Sequence, residues 1–244
     1  MRFAAVAGGL VLAWQALVWL TGVPAYILPG PWCTAAALIG SYRMLAGHAA
    51  VTLVEMGLGL VLGTLLGGAC ALAMAAAAPV RRWLLPLLVI SQALPVFALA
   101  PLLVLWLGYG LASKVVMTVL IIFFPVAAAF YDGLRTTDPG WLELARVMDA
   151  PRAAVLLQIR MPAALPGLAS GLRVAAAAAP IGAVVGEWVG ASQGLGFLML
   201  HANARMQTDL MAAALVVLVA AALVLYHGVD YMLRRLLYWL PKGQ

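Results

Sequence analysis

The chain has 244 residues and a mass of 25.5 kDa; 66% of its residues are apolar, only 9% are charged, and its mean hydropathy is +1.08. A soluble domain carries about a quarter charged residues, so this composition excludes a protein that meets water on all sides. The formal net charge of +6 sits on connecting segments rather than on one basic face, and nucleic acid is not an expected partner.

Residues 3–42, 56–80, 83–113 and 210–229 contain no Asp, Glu, Lys or Arg, and 115–131, 188–204 and 174–186 are shorter runs of the same kind. A helix needs ~20 mostly apolar residues to cross a bilayer core. The expected fold class is therefore all-α, a polytopic membrane protein. Six transmembrane helices are expected at about 5–21, 49–77, 83–108, 113–131, 168–189 and 209–230. The first run follows Arg2 but lacks a small-residue cleavage site, and reads as an uncleaved first helix.

With six spans both termini share one side. That side holds Arg2, Arg81, Arg82, Arg135, Arg146, Arg152, Arg160, Arg173, Arg234, Arg235 and Lys242, against Arg43, Lys114 and Arg205 on the other. The positive-inside rule places both termini in the cytoplasm. A multi-pass protein of the inner, cytoplasmic membrane of a bacterium is expected, with the lipid bilayer as its solvent.

Catalytic and metal-binding motifs are missing. Neither lysine follows a glycine, so there is no phosphate loop; no H-E-x-x-H occurs; and in Gly167-Leu168-Ala169-Ser170-Gly171 the serine stands one place late for a nucleophile elbow. His48, His201 and His227 are too dispersed for a local metal site, and Cys33 and Cys70 read as small buried hydrophobes. The expected sets of catalytic residues, metal ligands and cofactors held by this chain are empty.

The one large polar feature is the segment 132–173, which holds nine of the 22 charges. Loops of this length usually carry function. Asp138 is a good N-cap and Pro139 a good first helical residue, which predicts a short helix that stops before Pro151. On it Trp141, Leu144 and Met148 share a face at i, i+3 and i+7, while Glu143 and Arg146 point elsewhere. Pro151 opens a second segment with Val155, Leu156 and Ile159 apolar, and Pro162 and Pro166 lead on into the fifth span. Such an amphipathic helix lies on lipid or serves as a knob for a partner.

These residues resemble the cytoplasmic loop signature of binding-protein-dependent ABC importer permeases: E-A-A, three residues, G, nine residues, I-x-L-P. Here it reads Glu143-Leu144-Ala145, three residues, Asp149, nine residues, Ile159-Arg160-Met161-Pro162. The spacing is intact, and the departures are Leu144, Asp149 and Met161. Asp149 takes the place of a glycine at the turn between two short helices, and Asp tolerates a positive φ better than most residues. The segments "ILPGP" at 27–31, "PLLVLWLGYGLASKV" at 101–115, "RMPAALPGLASGLR" at 160–173 and "GEWVGASQGLG" at 186–196 extend the likeness over roughly 24–235. They are similar to the branch that imports nitrate, sulfonates, taurine and thiamine pyrimidine precursors, and most of all to hydroxymethylpyrimidine-type permeases.

The resemblance implies a single type I importer permease domain over 1–244 with a coupling loop at 132–167. Trp141, Glu143, Leu144, Ala145, Arg146, Met148, Asp149, Ile159 and Pro162 would form the ATPase-coupling surface. It implies cytoplasmic ABC ATPase subunits carrying ATP and Mg, a periplasmic substrate-binding protein and a second copy of the chain as partners. A thiamine pyrimidine precursor is the first expected substrate, and an aliphatic sulfonate, taurine or nitrate the alternative. A membrane-embedded enzyme is the rival of another class, and would need a convergent polar cluster. An ion-coupled transporter would need paired mid-membrane charges.

Substrate-pathway candidates are the polar and strained positions within spans: Ser91 and Gln92 ~14 Å into the third, the helix-loosening Pro95, and Gly186 and Glu187 near the end of the fifth. Glu187 suits an outer gate, a structural hydrogen bond or ligand contact. Gln92 suits a ligand amide contact or a helix-to-helix hydrogen bond. The ladders Gly59, Gly63, Gly67 and Gly182, Gly186, Gly190 suit close helix packing, with the second also a candidate face for the path or the partner permease. Glu55 is expected to be solvated or interfacial.

Overall fold

The structure, a computed structural model, describes residues 2–239, with side chains from residue 8 onward; Lys242 lies outside the described residues. They form helices and no strand: α1 (Arg2–Thr21), α2 (Pro31–Gly40), α3 (Tyr42–Ala76), α4 (Ala78–Ala93), α5 (Val96–Leu107), α6 (Leu111–Arg135), α7 (Pro139–Val147), α8 (Arg152–Ala154), α9 (Met161–Gly190), α10 (Leu195–Ala204) and α11 (Thr208–Leu236). A π-helical turn, Val155–Arg160, joins α8 to α9 into one 39-residue helix.

Helices α3, α6, α8–α9 and α11 are long and apolar enough to cross a membrane. They contain the expected second, fourth, fifth and sixth spans. The expected third span differs, because 83–108 is two helices bent by 100° at Leu94 and Pro95. The proline ring clashes with a helical conformation at the residue before it, and Leu94 accordingly takes an extended conformation, φ −77° and ψ 124°. Counting the bent pair gives five spans among the described residues; the expected first span falls on α1 (Arg2–Thr21), of which Gly8–Thr21 is described with side chains.

The core is built around α6, which packs along α3 on one side and α9 on the other. Ile122, Val126, Ala127 and Leu134 of α6 are fully buried. Both glycine ladders face neighbouring helices. A Cβ on Gly67 would stand 2.5 Å from the Phe123 carbonyl oxygen and 3.0 Å from the Ala127 nitrogen, and one on Gly182 2.6 Å from the Thr118 Cα. Gly186 meets Lys114 of α6, and Gly190 meets Val104 of α5. In lipid, where burial of apolar surface does not drive helices together, this backbone-to-backbone approach is a main source of association. Gly67→Val is therefore expected to destabilise the protein by about 2–3 kcal/mol through overpacking against fixed backbone, seen as a lower unfolding temperature in detergent.

The π turn has a local cause. Pro162 has no N–H to offer the Gln158 carbonyl and its ring crowds that turn, so the preceding residues widen. The Met161 N–H consequently donates to the Leu156 carbonyl five residues back. Farther along, Arg173 Nε of α9 donates to Asp230 Oδ1 of α11 at 2.8 Å, and Arg234 Nε donates to Asp230 Oδ2 at 2.7 Å. The first bond ties α9 to α11 on the α7 side of the bundle, and the second, within α11, holds the Asp230 carboxylate in place.

Candidate functional site

At the end of the bundle reached by the C-terminus of α6, the segment 136–160 builds a knob. The Asp138 carboxylate accepts a hydrogen bond from the Gly140 N–H at 2.7 Å, and Pro139 opens α7 where its missing N–H costs nothing. The other end is closed as tightly. Asp149 has φ +51°, its N–H donates to the Arg146 carbonyl at 3.0 Å, and the Ala150 N–H donates to the Ala145 carbonyl at 2.9 Å. This is a Schellman closure with Asp149 as the left-handed residue. A non-glycine residue there costs ~1 kcal/mol or more, so Asp149→Gly is expected to raise the unfolding temperature slightly, whereas Asp149→Val, with a branched Cβ, is expected to lower it.

The capped helix turns its small residue inward and its large ones outward. Ala145 is buried, while Trp141, Leu144, Val147 and Met148 are 55%, 59%, 85% and 73% exposed. Trp141, Leu144 and Met148 line one groove of about 730 Å³ together with Ile159, Pro162 and Trp239. Arg146 and Asp149 face a second crevice, of about 720 Å³, beside Arg152 and Arg160. Glu143 is exposed and lines neither. The residues named for coupling thus gather on one protrusion, apolar on one flank and basic on the other. Large exposed apolar patches rimmed by polar residues are in general marks of interaction sites.

The five pathway candidates fall in two places. Ser91, Gln92 and Pro95 lie at the break between α4 and α5, where the Ser91 hydroxyl donates to the Leu88 carbonyl at 2.7 Å and Gln92 is exposed. Gly186 and Glu187 lie near the opposite end of the bundle from α7, on α9, in contact with α6 and α3. Glu187 is 1% exposed. Its Oε1 accepts from the Thr52 hydroxyl at 2.6 Å, and its Oε2 accepts from the backbone N–H groups of Gly196 and Phe197. A carboxylate in that position caps the first turn of α10 and complements the helix dipole.

Around Glu187 the structure assembles a buried polar cluster that sequence reading did not find. The Gly194 N–H donates to His48 Nδ1 at 3.0 Å, and the Leu195 N–H donates to the Thr52 hydroxyl oxygen at 2.9 Å. Glu55 is fully buried rather than solvated, with Lys114 Nζ 3.2 Å from its Oε1. His48, Thr52 and Glu55 stand at i, i+4 and i+7 on one face of α3, a spacing visible in the sequence. What the sequence did not reveal is that α6 brings Lys114, and α9 brings Glu187, to that face. No group of three or more His, Cys, Asp or Glu side chains placed to hold a metal ion occurs among the described residues.

Comparison with known proteins agrees with the helical frame. Residues 59–238 match the family described as binding-protein-dependent transport system inner membrane component. A Haemophilus influenzae protein called "Probable ABC transporter permease protein" is 54% identical, over 96% of this chain and 95% of its own. The formylaminopyrimidine transport permease protein ThiX of Halalkalibacterium halodurans is 41% identical over 77% of this chain and 75% of its own. The taurine transport system permease protein TauC of Escherichia coli is 32% identical over 79% and 70%. A chain of the MetNI methionine ABC transporter in an inward-facing conformation shares the fold, with a TM-score of 0.63 at 22% identity over 80% of this chain and 94% of that one. The chain therefore belongs to the family of binding-protein-dependent transport system inner membrane components, and is a multi-pass permease of the ABC importer type.

Proposed function

We propose that this permease works as a homodimer with two cytoplasmic ABC ATPase subunits and a periplasmic binding protein, and that it imports a thiamine pyrimidine precursor of the hydroxymethylpyrimidine type. The observation that carries the coupling half is the capped, outward-facing helix α7, whose Trp141, Leu144 and Met148 stay more than half exposed among the described residues. Two copies of one chain present two equivalent knobs to two ATPases, in keeping with twofold symmetry. ATP and Mg belong to the partner ATPases; this chain supplies the path and the lever, with α7 on the cytoplasmic side and both termini there. Ser91, Gln92, Pro95, Gly186 and Glu187 remain the pathway candidates of this proposal.

Support for the substrate comes from the relative whose name specifies formylaminopyrimidine transport, at 41% identity. The taurine relative, at 32%, favours an organosulfonate as the second reading. Vesicles reconstituted with the chain, its ATPase and its binding protein are expected to take up labelled hydroxymethylpyrimidine only when ATP is inside; uptake of taurine in its place decides for the second reading, and uptake without the ATPase overturns the whole assignment.

A further inference from the structure

At the end of the bundle away from α7, the connections Tyr109–Gly110 and Ala191–Gln193 border a cavity of about 430 Å³. This volume lies within the range of small-molecule sites. Glu55 and Lys114 line it, with Val51, Tyr109, Ser192 and Gln193 around them. Glu55 is 0% exposed; Lys114 Nζ, 3.2 Å from its Oε1, forms an ion pair with it, and no backbone N–H or hydroxyl among the described residues reaches either oxygen. The native fold rarely leaves a fully buried carboxylate without donors, because each missing bond costs free energy.

Beyond the Lys114 ion pair and the neighbouring Glu187 carboxyl, the surroundings offer Glu55 no donor among the described residues. Glu187, the neighbouring carboxylate, is engaged by Thr52, Gly196 and Phe197, and His48 Nδ1 is an acceptor toward Gly194. The cluster holds two acidic side chains against one ammonium. Tyr109, 84% exposed, offers an aromatic face at the rim.

The geometry points to a ligand site here, one that receives a small polar molecule presenting a hydrogen-bond donor beside an acceptor, the donor on Glu55 and the acceptor on Lys114. An aminopyrimidine edge, with its exocyclic amine next to a ring nitrogen, has that pattern and a flat ring for Tyr109. A zwitterion with an ammonium and an anionic group has it without the ring. The aminopyrimidine assignment rests on the proposed substrate class, whereas the site itself rests on the buried Glu55–Lys114 pair, short of donors, and the cavity it lines.

The test is equilibrium binding of labelled 4-amino-5-hydroxymethyl-2-methylpyrimidine and of taurine to the permease–ATPase complex in lipid nanodiscs, without the binding protein. Saturable binding of one of them is expected, weakened at least tenfold by Glu55→Gln and by Lys114→Met. Because those changes disturb a buried pair, Ser192→Trp provides the second arm. Ser192 is exposed at the rim, so the indole is expected to block binding with an unchanged unfolding temperature. Saturable binding of neither probe, or wild-type binding by both Glu55→Gln and Ser192→Trp, overturns the site. Taurine binding that depends on Glu55, with no pyrimidine binding, upholds the site and rejects the pyrimidine reading. ATP-driven pyrimidine uptake at wild-type rate by Ser192→Trp transporter does the reverse.

Discussion

Leu144→Asp, in a transporter assembled from full-length chains, is expected to reduce ATPase co-purification and ATP-driven uptake at least tenfold while leaving the permease folded. Leu144 is 59% exposed and makes no part of the core, so a carboxylate there costs the free permease little. In a docked interface the same carboxylate is a desolvated charge without a partner, and the central apolar anchors of an interface are each worth about 2 kcal/mol or more. Trp141→Ala is expected to act in the same direction by removing the largest side chain that α7 gives the groove. Glu143→Arg tests the flank: it alters an exposed charge outside both grooves, and its effect on affinity is expected to be salt-dependent. Co-purification on a tagged ATPase, with the unfolding temperature of the permease as control, reads all three. Wild-type recovery of ATPase with Leu144→Asp and Trp141→Ala would remove α7 from the interface.

Glu187→Ala carries the other large expected effect, a loss of about 3–5 kcal/mol of stability, since each buried donor left unsatisfied costs about 1–3 kcal/mol. The substitution leaves the Thr52 hydroxyl and the N–H groups of Gly196 and Phe197 without their acceptor inside a buried site. It also removes the negative charge at the start of α10. Glu187→Gln keeps one carbonyl oxygen but turns an amide N–H₂ toward existing donors, so its loss is expected to be smaller than that of the alanine variant. Thermal unfolding in detergent and protease sensitivity of the 191–194 connection measure both. A Glu187→Ala protein with the wild-type unfolding temperature but defective uptake would show that the carboxylate acts on transport rather than on packing.

The same residue illustrates how much of the site was legible beforehand. Glu187 drew attention as an ionisable group at the end of a charge-free run, and a structural hydrogen bond was one of its readings. Its partners lie 135 residues earlier, at Thr52, and nine and ten residues later, at Gly196 and Phe197. Nothing in a local pattern encodes that meeting. Glu55 was misread for the same reason: a carboxylate near a helix start looks solvated until another helix covers it. α7 behaved differently. Its cap, its first proline, its apolar face and its left-handed Asp149 are all local devices, and each stands in the structure where the residue order predicted it.

The residue order by itself determined that this is a helical membrane protein with a capped apolar knob, because bilayer solvation, proline chemistry and helix capping act over a few consecutive residues. Tertiary structure alone decided that α6 sits between α3 and α9, and that His48, Thr52, Glu55, Lys114 and Glu187 share one cluster. Those outcomes depend on which glycine faces meet which backbone, and in lipid that choice rests on close contact between helices distant in sequence rather than on the hydropathy of any one of them.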